Sequence, residues 1–424
     1  MRTVGRDHAL SVQAIAGTRV VLFGIDYKPP IPADLLGFAI TRSVVGAPAK
    51  PLPNFLHFAG SADPSTLVNP LQTFLWGDYT APLGTDLSYP VSAMHGAPGA
   101  LAAHESVTLA LHTEPPDDGH HGVWVNRGVI GSQAYTAQYG TLKHPLKNAG
   151  ARAWLSRGLF EALENAITAA TGAGAGLRCA FYEFANEDVM VALKAALDRG
   201  VDLELLVDKH HDSQKIDTHG LRGVTTLREH VGTPHNKFII RLEGGQPKSV
   251  WTGSTNISDS GIYGQANVGH LVHDEQIAAD YLAYWTELHT NPTRKLLVAW
   301  TSAHNPDLKN DPTPTLGCVF SAQASFDSLD WYAERVKNAA SSAFITAPFG
   351  LDARFIDALG APGPAFRYAI VDQRAADVRH SRTSRTPGRR PAPPSTTRSR
   401  RFPGSPNPRT RSVAACSSST PSSC

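Results

Sequence analysis

Cysteine is scarce in this chain: Cys179, Cys318, Cys416 and Cys424 are the only four in 424 residues, and no two stand in a CxxC spacing. A disulfide framework and a zinc knuckle are both excluded on that count. No uninterrupted run of 18 apolar residues occurs, so a membrane-spanning helix is not expected. The opening Met1-Arg2-Thr3-Val4-Gly5-Arg6 lacks the apolar stretch of a secretion signal, and the expectation is a soluble, cytoplasmic protein. There is no GxSxG elbow, no GxxxxGK(S/T) phosphate loop and no HExxH, which argues against a serine esterase, a nucleotide hydrolase and a zinc protease. What is present is ample apolar material, 42% of all residues, enough for more than one core.

The net charge of +2 hides an asymmetry. Residues 374–424 hold eleven arginines, no lysine and a single acid, Asp377, so the preceding body carries 28 of the 39 basic and 36 of the 37 acidic residues. An acidic body repels polyanions, whereas a basic tail is an electrostatic handle for them. The tail is almost wholly Arg, Ser, Thr, Pro, Ala and Gly, without apolar periodicity, and is predicted to be disordered. Its abrupt composition fits an out-of-frame reading of a GC-rich message.

Residues 1–148 read as a β-rich domain: the runs 18–24, 71–77 and 107–111 are short, β-branched or aromatic, and separated by turn residues, as in a small sandwich. From Trp154 the period changes. Leu155, Leu159, Ala162, Leu163, Ala166 and Ile167 recur at helical spacing, a strand follows at 177–184, a second helix carries Val189, Leu193, Ala196 and Leu197, and 201–208 alternates as a strand ending in Val207-Asp208. Helix, strand, helix, strand is the signature of an α/β layer with parallel strands. The same order recurs at 332–340, 342–349, 352–359 and 366–372, ending in Val371-Asp372. The fold class expected is therefore α/β, a duplicated unit with a first repeat at 149–290, a truncated second copy at 291–373 and the tail at 374–424.

The chemistry concentrates in His235-Asn236-Lys237-Phe238-Ile239-Ile240 and, after a glycine turn, Gly253-Ser254-Thr255-Asn256. In a strand His235 and Lys237 project to one face, while Asn236, Phe238 and Ile240 face the other. Ser254 and Asn256, again two apart, are expected beside them. Such a grouping suits a phosphate: Lys237 brings charge, Ser254 and Asn256 bring hydrogen bonds, and His235 brings a nucleophilic or acid–base nitrogen.

In these two motifs, HxK followed by GSxN within a repeated α/β unit, the chain resembles the phospholipase D superfamily of phosphodiesterases over roughly residues 150–373. The stretches 74–80 and 126–135 look like the leading region of bacterial members. The resemblance implies that His235 attacks phosphorus to form a phosphohistidine, that Lys237, Ser254 and Asn256 stabilise phosphoryl charge, and that a second histidine protonates the leaving alcohol and then activates water. It implies neither a metal nor a cofactor. The substrate expected is a phospholipid head-group diester, with a nuclease or a catalytically inactive phosphate-binding remnant as the alternatives.

Two departures stand out. The family's HxKxxxxD acid falls at Leu242, a position on the face away from His235 and Lys237, where its loss affects structure more than phosphate contacts. No second HxK occurs, since the only histidine after Asp372 is His380 in His380-Ser381-Arg382. Either two chains pair as a homodimer so that two copies of His235 share one phosphate, or the chain is a catalytically crippled fragment. Glu183, at the end of the first strand of the repeat, is a candidate to orient His235, and Asn267, where the superfamily often keeps a polar residue after GSxN, is a candidate supporting residue of the site. Gly172, Gly174 and Gly176 follow a helix and precede a strand, the reverse of a dinucleotide loop, and read as a helix stop. The pairs His120-His121 and His210-His211 lack metal-ligand spacing.

Overall fold

The computed structural model describes residues 2–128, 132–140, 145–229, 234–310, 316–347 and 350–371. The predicted disordered tail, together with Asp372 and His380, lies outside the described residues. The chain divides into two compact units that part between Pro116 and Asp117.

The first unit holds β1 (Arg2–Asp7), β2 (Leu10–Ala16), β3 (Val21–Tyr27), β4 (Leu35–Val44), β5 (Lys50–Pro51), β6 (Leu75–Asp78), β7 (Asp86–Ala97) and β8 (Ala100–His112). They form two four-stranded sheets, β1-β2-β3-β6 and β5-β4-β7-β8. Alternate residues of β2 and β3, among them Leu10, Val12, Phe23 and Ile25, are buried, and they share one core with Leu87, Tyr89 and Val91 of β7 and Val107, Leu109 and Leu111 of β8. This is the small sandwich that the sequence pattern predicts. The 71–77 run becomes strand only from Leu75.

The second unit begins with β9 (His121–Val125), α1 (Gln133–Tyr139), α2 (Ala149–Ser156) and α3 (Leu159–Thr168). It continues with β10 (Gly176–Phe181), α4 (Glu187–Asp198), β11 (Asp202–Asp208), α5 (Gln214–Thr218) and β12 (Thr225–Arg228). Then come β13 (Lys237–Glu243), β14 (Gln246–Gly253), β15 (Val268–Val272), α6 (Glu275–His289) and α7 (Arg294–His304). One seven-stranded sheet runs β12-β11-β10-β13-β14-β15-β9. Its β10, β11 and β12 are parallel, and its remaining pairs are antiparallel, so the sheet is mixed rather than wholly parallel. The β-rich domain therefore stops at Pro116 instead of reaching residue 148: β9 pairs with β15, and Tyr135 of α1 is buried in the α/β core. Sequence composition around β9 is strand-like in either context, and only the pairing partner assigns it.

The helix expected from Trp154 onward is two helices. Arg157 and Gly158 both adopt left-handed φ, 54° and 94°, and break the helix between Ser156 and Leu159. The faces of the sheet are covered differently. Leu177, Cys179, Leu205 and Ile239 face Leu155, Leu163 and Leu193 of α2, α3 and α4. Ala180, Leu206, Phe238, Ile240 and Leu242 face Ile277, Trp285 and Leu288 of α6 and Leu297 of α7. Trp285 ties its layer to the sheet by donating from Nε1 to the Cys179 carbonyl at 2.9 Å.

After α7 the order helix, strand, helix, strand returns as α8 (Asp327–Lys337), β16 (Ser342–Ala347), α9 (Ala353–Gly360) and β17 (Phe366–Val371). β16 and β17 pair in parallel, as β10 and β11 do. Among the described residues no helix is long and apolar enough to cross a membrane.

Leu242, which stands where the superfamily motif has its acid, is 5% exposed and packs in the α6–α7 layer with Phe238 and Ile240. Leu242→Asp should therefore bury an unpaired carboxyl and lower stability by about 3 kcal/mol, measured by urea denaturation. An unchanged midpoint would mean that this face of β13 is not the closed apolar layer described.

Candidate active site

The C-terminal ends of β10 and β11 and the start of β13 lie at one end of the sheet, where open α/β sheets place ligands. Tyr182 and Glu183 extend β10, His210 and His211 follow β11, and His235 and Lys237 open β13. The β10–β13 ladder is continued by Tyr182 N donating to the Asn236 carbonyl at 2.8 Å, which draws the residues flanking His235 against the end of β10.

Lys237 is buried, at 6% exposure, and its Nζ lies 2.8 Å from His235 Nδ1 while donating to the His235 carbonyl at 2.9 Å. The Tyr182 ring sits between neighbours: its centroid is 4.5 Å from that of His235 and 4.3 Å from that of His211, with Lys237 Nζ 5.3 Å from the same ring. Burial pulls the Lys237 ammonium down to about 8, partly opposed by the negative charge of Glu183. Burial also lowers His235 from its ordinary 6.5, followed by repulsion from Lys237, with Glu183 opposing both and His211 adding to the repulsion. Glu183 thus acts on both members of the pair. It accepts a hydrogen bond from Ser258 Oγ at 2.7 Å, an interaction that sequence reading missed. The only signal for it was a hydroxyl two residues after Asn256.

Ser254 and Asn256 reach this end of the sheet along a different route from the expected one. Gly253 closes β14 at φ 143°, and a Cβ there would lie 2.2 Å from the Val268 carbonyl, so only glycine lets β15 pass this closely. Beyond it Ser254 donates to Asn267 Oδ1 at 2.9 Å and accepts from Val268 N at 3.1 Å. Ser254 and Asn256 make no hydrogen bond to His235 or Lys237 among the described residues; the Ser254 hydroxyl is engaged by Asn267 and β15 instead. Ile257 bridges in parallel to Phe184, which brings Asn256 alongside Glu183, and Asn256 Oδ1 is buried without a hydrogen-bond partner among the described residues.

Asn267 is in turn held by Asn126, a residue buried to 4% exposure just after β9. Asn126 Oδ1 accepts from Asn267 N at 2.7 Å, and its amide donates to the carbonyls of Ile262 and Gln265 at 2.7 and 2.8 Å. One polar side chain thereby fixes the π turn at Ser260–Gly264 and the strand start behind Ser254. The sequence placed Asn126 in a leading region, and pairing of β9 to β15 carries it into the site.

Among the described residues no group of three or more His, Cys, Asp or Glu could hold a metal ion. His121 and His270 meet at 3.1 Å as a pair, and His210 Nδ1 lies 3.0 Å from Asp208.

The histidine–lysine pair thus lies at one strand end of a mixed α/β sheet. Residues 163–288 match the family model described as "Cardiolipin synthase, PLD-like domain", so this part of the chain carries a PLD-like domain. It is similar in structure to Nuc from Salmonella typhimurium, a phospholipase D family member, at 20% identity over 39% of this chain and 93% of that one, TM-score 0.28. NucT from Helicobacter pylori is similar at 16% identity over 40% and 96% of the two chains, TM-score 0.29. Phosphatidylserine synthase from Haemophilus influenzae Rd KW20 is similar at 12% identity over 51% and 60%, TM-score 0.34. No curated protein sequence matches the chain.

The opposed protonation states set a pH window. A nucleophilic His235 must be neutral, so kcat/KM for bis(p-nitrophenyl) phosphate, whose phenolate leaves without needing a proton, should rise as pH climbs through its lowered value below 6.5. A charged Lys237 is lost as pH climbs through about 8, so the same parameter should fall there. Lys237→Arg keeps its charge at all accessible pH, and a residual activity lacking the alkaline fall would identify Lys237 as its source. Persistence of that limb in the arginine variant would assign it to another group.

Proposed function

We propose that the chain is a phospholipase D-type phosphodiesterase in which His235 is the nucleophile, and that its substrate is the head-group diester of a phospholipid. The observation that carries this reading is the contact of Lys237 Nζ with His235 Nδ1 at 2.8 Å, with Glu183 acting on both, inside a phospholipase D-like domain.

The contact also dictates an order of events. A charged Lys237 donating to Nδ1 leaves the ring proton on Nε2, so Nε2 becomes a lone-pair donor only when Nδ1 takes the proton instead. An incoming phosphate draws the ammonium away from Nδ1 and so couples substrate binding to activation of the imidazole. Nε2 then forms a bond to phosphorus while the bond from phosphorus to the alcohol oxygen breaks, its electron pair leaving on that oxygen, which takes up a proton. In the second step water attacks phosphorus, loses its proton, and returns the nitrogen lone pair to His235. Lys237, Ser254 and Asn256 stabilise the phosphoryl oxygens, for which Ser254 must exchange its bond to Asn267. The proton donor and acceptor in the two steps is a second His235, supplied by another copy of the chain in a homodimer. The acidic body, with 36 acidic residues against 28 basic ahead of residue 374, supports a small or lipid diester over a nucleic acid.

Hydrolysis of bis(p-nitrophenyl) phosphate in the presence of EDTA tests the chemistry. The full chain should be active and His235→Ala at least about 1,000-fold slower, as expected when a covalent nucleophile is removed. Specific activity should fall on dilution below the dimer dissociation constant. Equal rates for the two proteins would refute the nucleophile, and faster cleavage of single-stranded DNA than of short-chain phosphatidylcholine would replace the lipid substrate by a nucleic acid.

A further inference from the structure

Arg228 ends β12 and is 2% exposed, the largest of the fully buried side chains among the described residues. A guanidinium is rarely placed so deep without a specific task, because burial disfavours its charge. Burial here draws Arg228 down to about 10, opposed by the negative charge of Asp208, its buried cross-strand partner on β11. Its donors are spent on one short segment. Nη1 donates to Asn236 Oδ1 at 2.7 Å, and Nη2 donates to the Pro234 carbonyl at 3.1 Å. Nε has no hydrogen-bond partner among the described residues. Pro234 and Asn236 are the residues on either side of His235. The clamp is extended on the far side, where Asn236 Nδ2 donates to Tyr284 Oη at 3.3 Å and Tyr284 Oη donates to the Ser321 carbonyl at 2.7 Å.

We propose that Arg228 is a positioning residue: by gripping the chain on both sides of His235, it seats the imidazole against Lys237 and Tyr182. This inference rests on the reading of His235 as the nucleophile. His235 precedes β13 and lies outside the described strand, so the sheet alone does not hold its backbone. A planar guanidinium fork offers two donors at fixed separation to two acceptors, a geometry that the single ammonium of lysine cannot reproduce. The groups that face His235 once it is seated are Lys237, Glu183, His211 and the Tyr182 ring.

The test uses the full chain with Arg228→Lys, Arg228→Met and Asn236→Ala, each checked for folding by circular dichroism. Two quantities are read: the NMR titration midpoint of His235, assigned by its loss in His235→Ala, and kcat and KM on bis(p-nitrophenyl) phosphate. The Arg228 variants should lose about 100-fold in kcat with KM within about threefold, the scale of a misplaced reacting group. Asn236→Ala, which removes one of the two grips, should lose about tenfold. The midpoint should rise toward the ordinary 6.5 as the ring leaves Lys237 and its partly buried seat. A general loss of stability would lower the folded fraction without moving that midpoint. A folded variant with the wild-type midpoint and kcat overturns the proposal. If the Arg228 variants fail to fold, Asn236→Ala decides it by the same two readings. Should the wild-type chain cleave no diester while the midpoint still moves, the clamp stands and the nucleophile reading falls.

Discussion

A histidine and a lysine whose charged forms repel each other stand 2.8 Å apart at the mouth of β13, and the surroundings of the α/β unit are arranged to keep them there. Lys237 is buried in the sheet end, which weakens its hold on a proton, and the same burial together with its neighbour lowers the proton affinity of His235. Glu183 restrains both shifts. The fold holds the two side chains in contact, whereas free histidine and lysine side chains in water would not stay in proximity.

Around that pair the polar groups form a continuous supporting shell. Ser258 holds Glu183, Asn267 holds Ser254, and Asn126 holds Asn267 together with the π turn that precedes it. Buried amides are costly unless their donors and acceptors are met, and Asn126 meets its own through three backbone carbonyls and one backbone amide. Asn256 differs, since its buried Oδ1 has no partner among the described residues. The motif residue Gly253 has a steric role: it allows β14 and β15 to close on each other where Ser254 turns off the sheet.

Much of this was legible in the residues. The sandwich, the helix–strand alternation, the return of that order after α7, and the apolar face of Leu242 all follow from periodicity, because a strand or helix exposed on one side must repeat its apolar residues at the period of its backbone. Pairing of His235 with Lys237 follows in the same way from two-residue spacing. The boundary at Pro116 did not, since β9 reads as a strand whichever sheet takes it. The break between α2 and α3 was hidden because apolar spacing continues across Arg157 and Gly158. Ser254 was expected beside His235 and Lys237, and a spacing rule could not show that Asn267 would claim its hydroxyl.

By itself, then, the amino-acid order determined which local elements form and which two residues share the strand face at the site, since both depend on backbone periods a few residues long. Tertiary structure alone decided the sheet order that sets the ends of β10 and β11 beside the start of β13, the burial that lowers Lys237, and the convergence of Asn126, Glu183, Ser258 and Arg228 on one strand end. Those residues lie up to 141 positions apart in the chain, as Asn126 and Asn267 do, and no short-range pattern encodes a contact made only when the sheet closes.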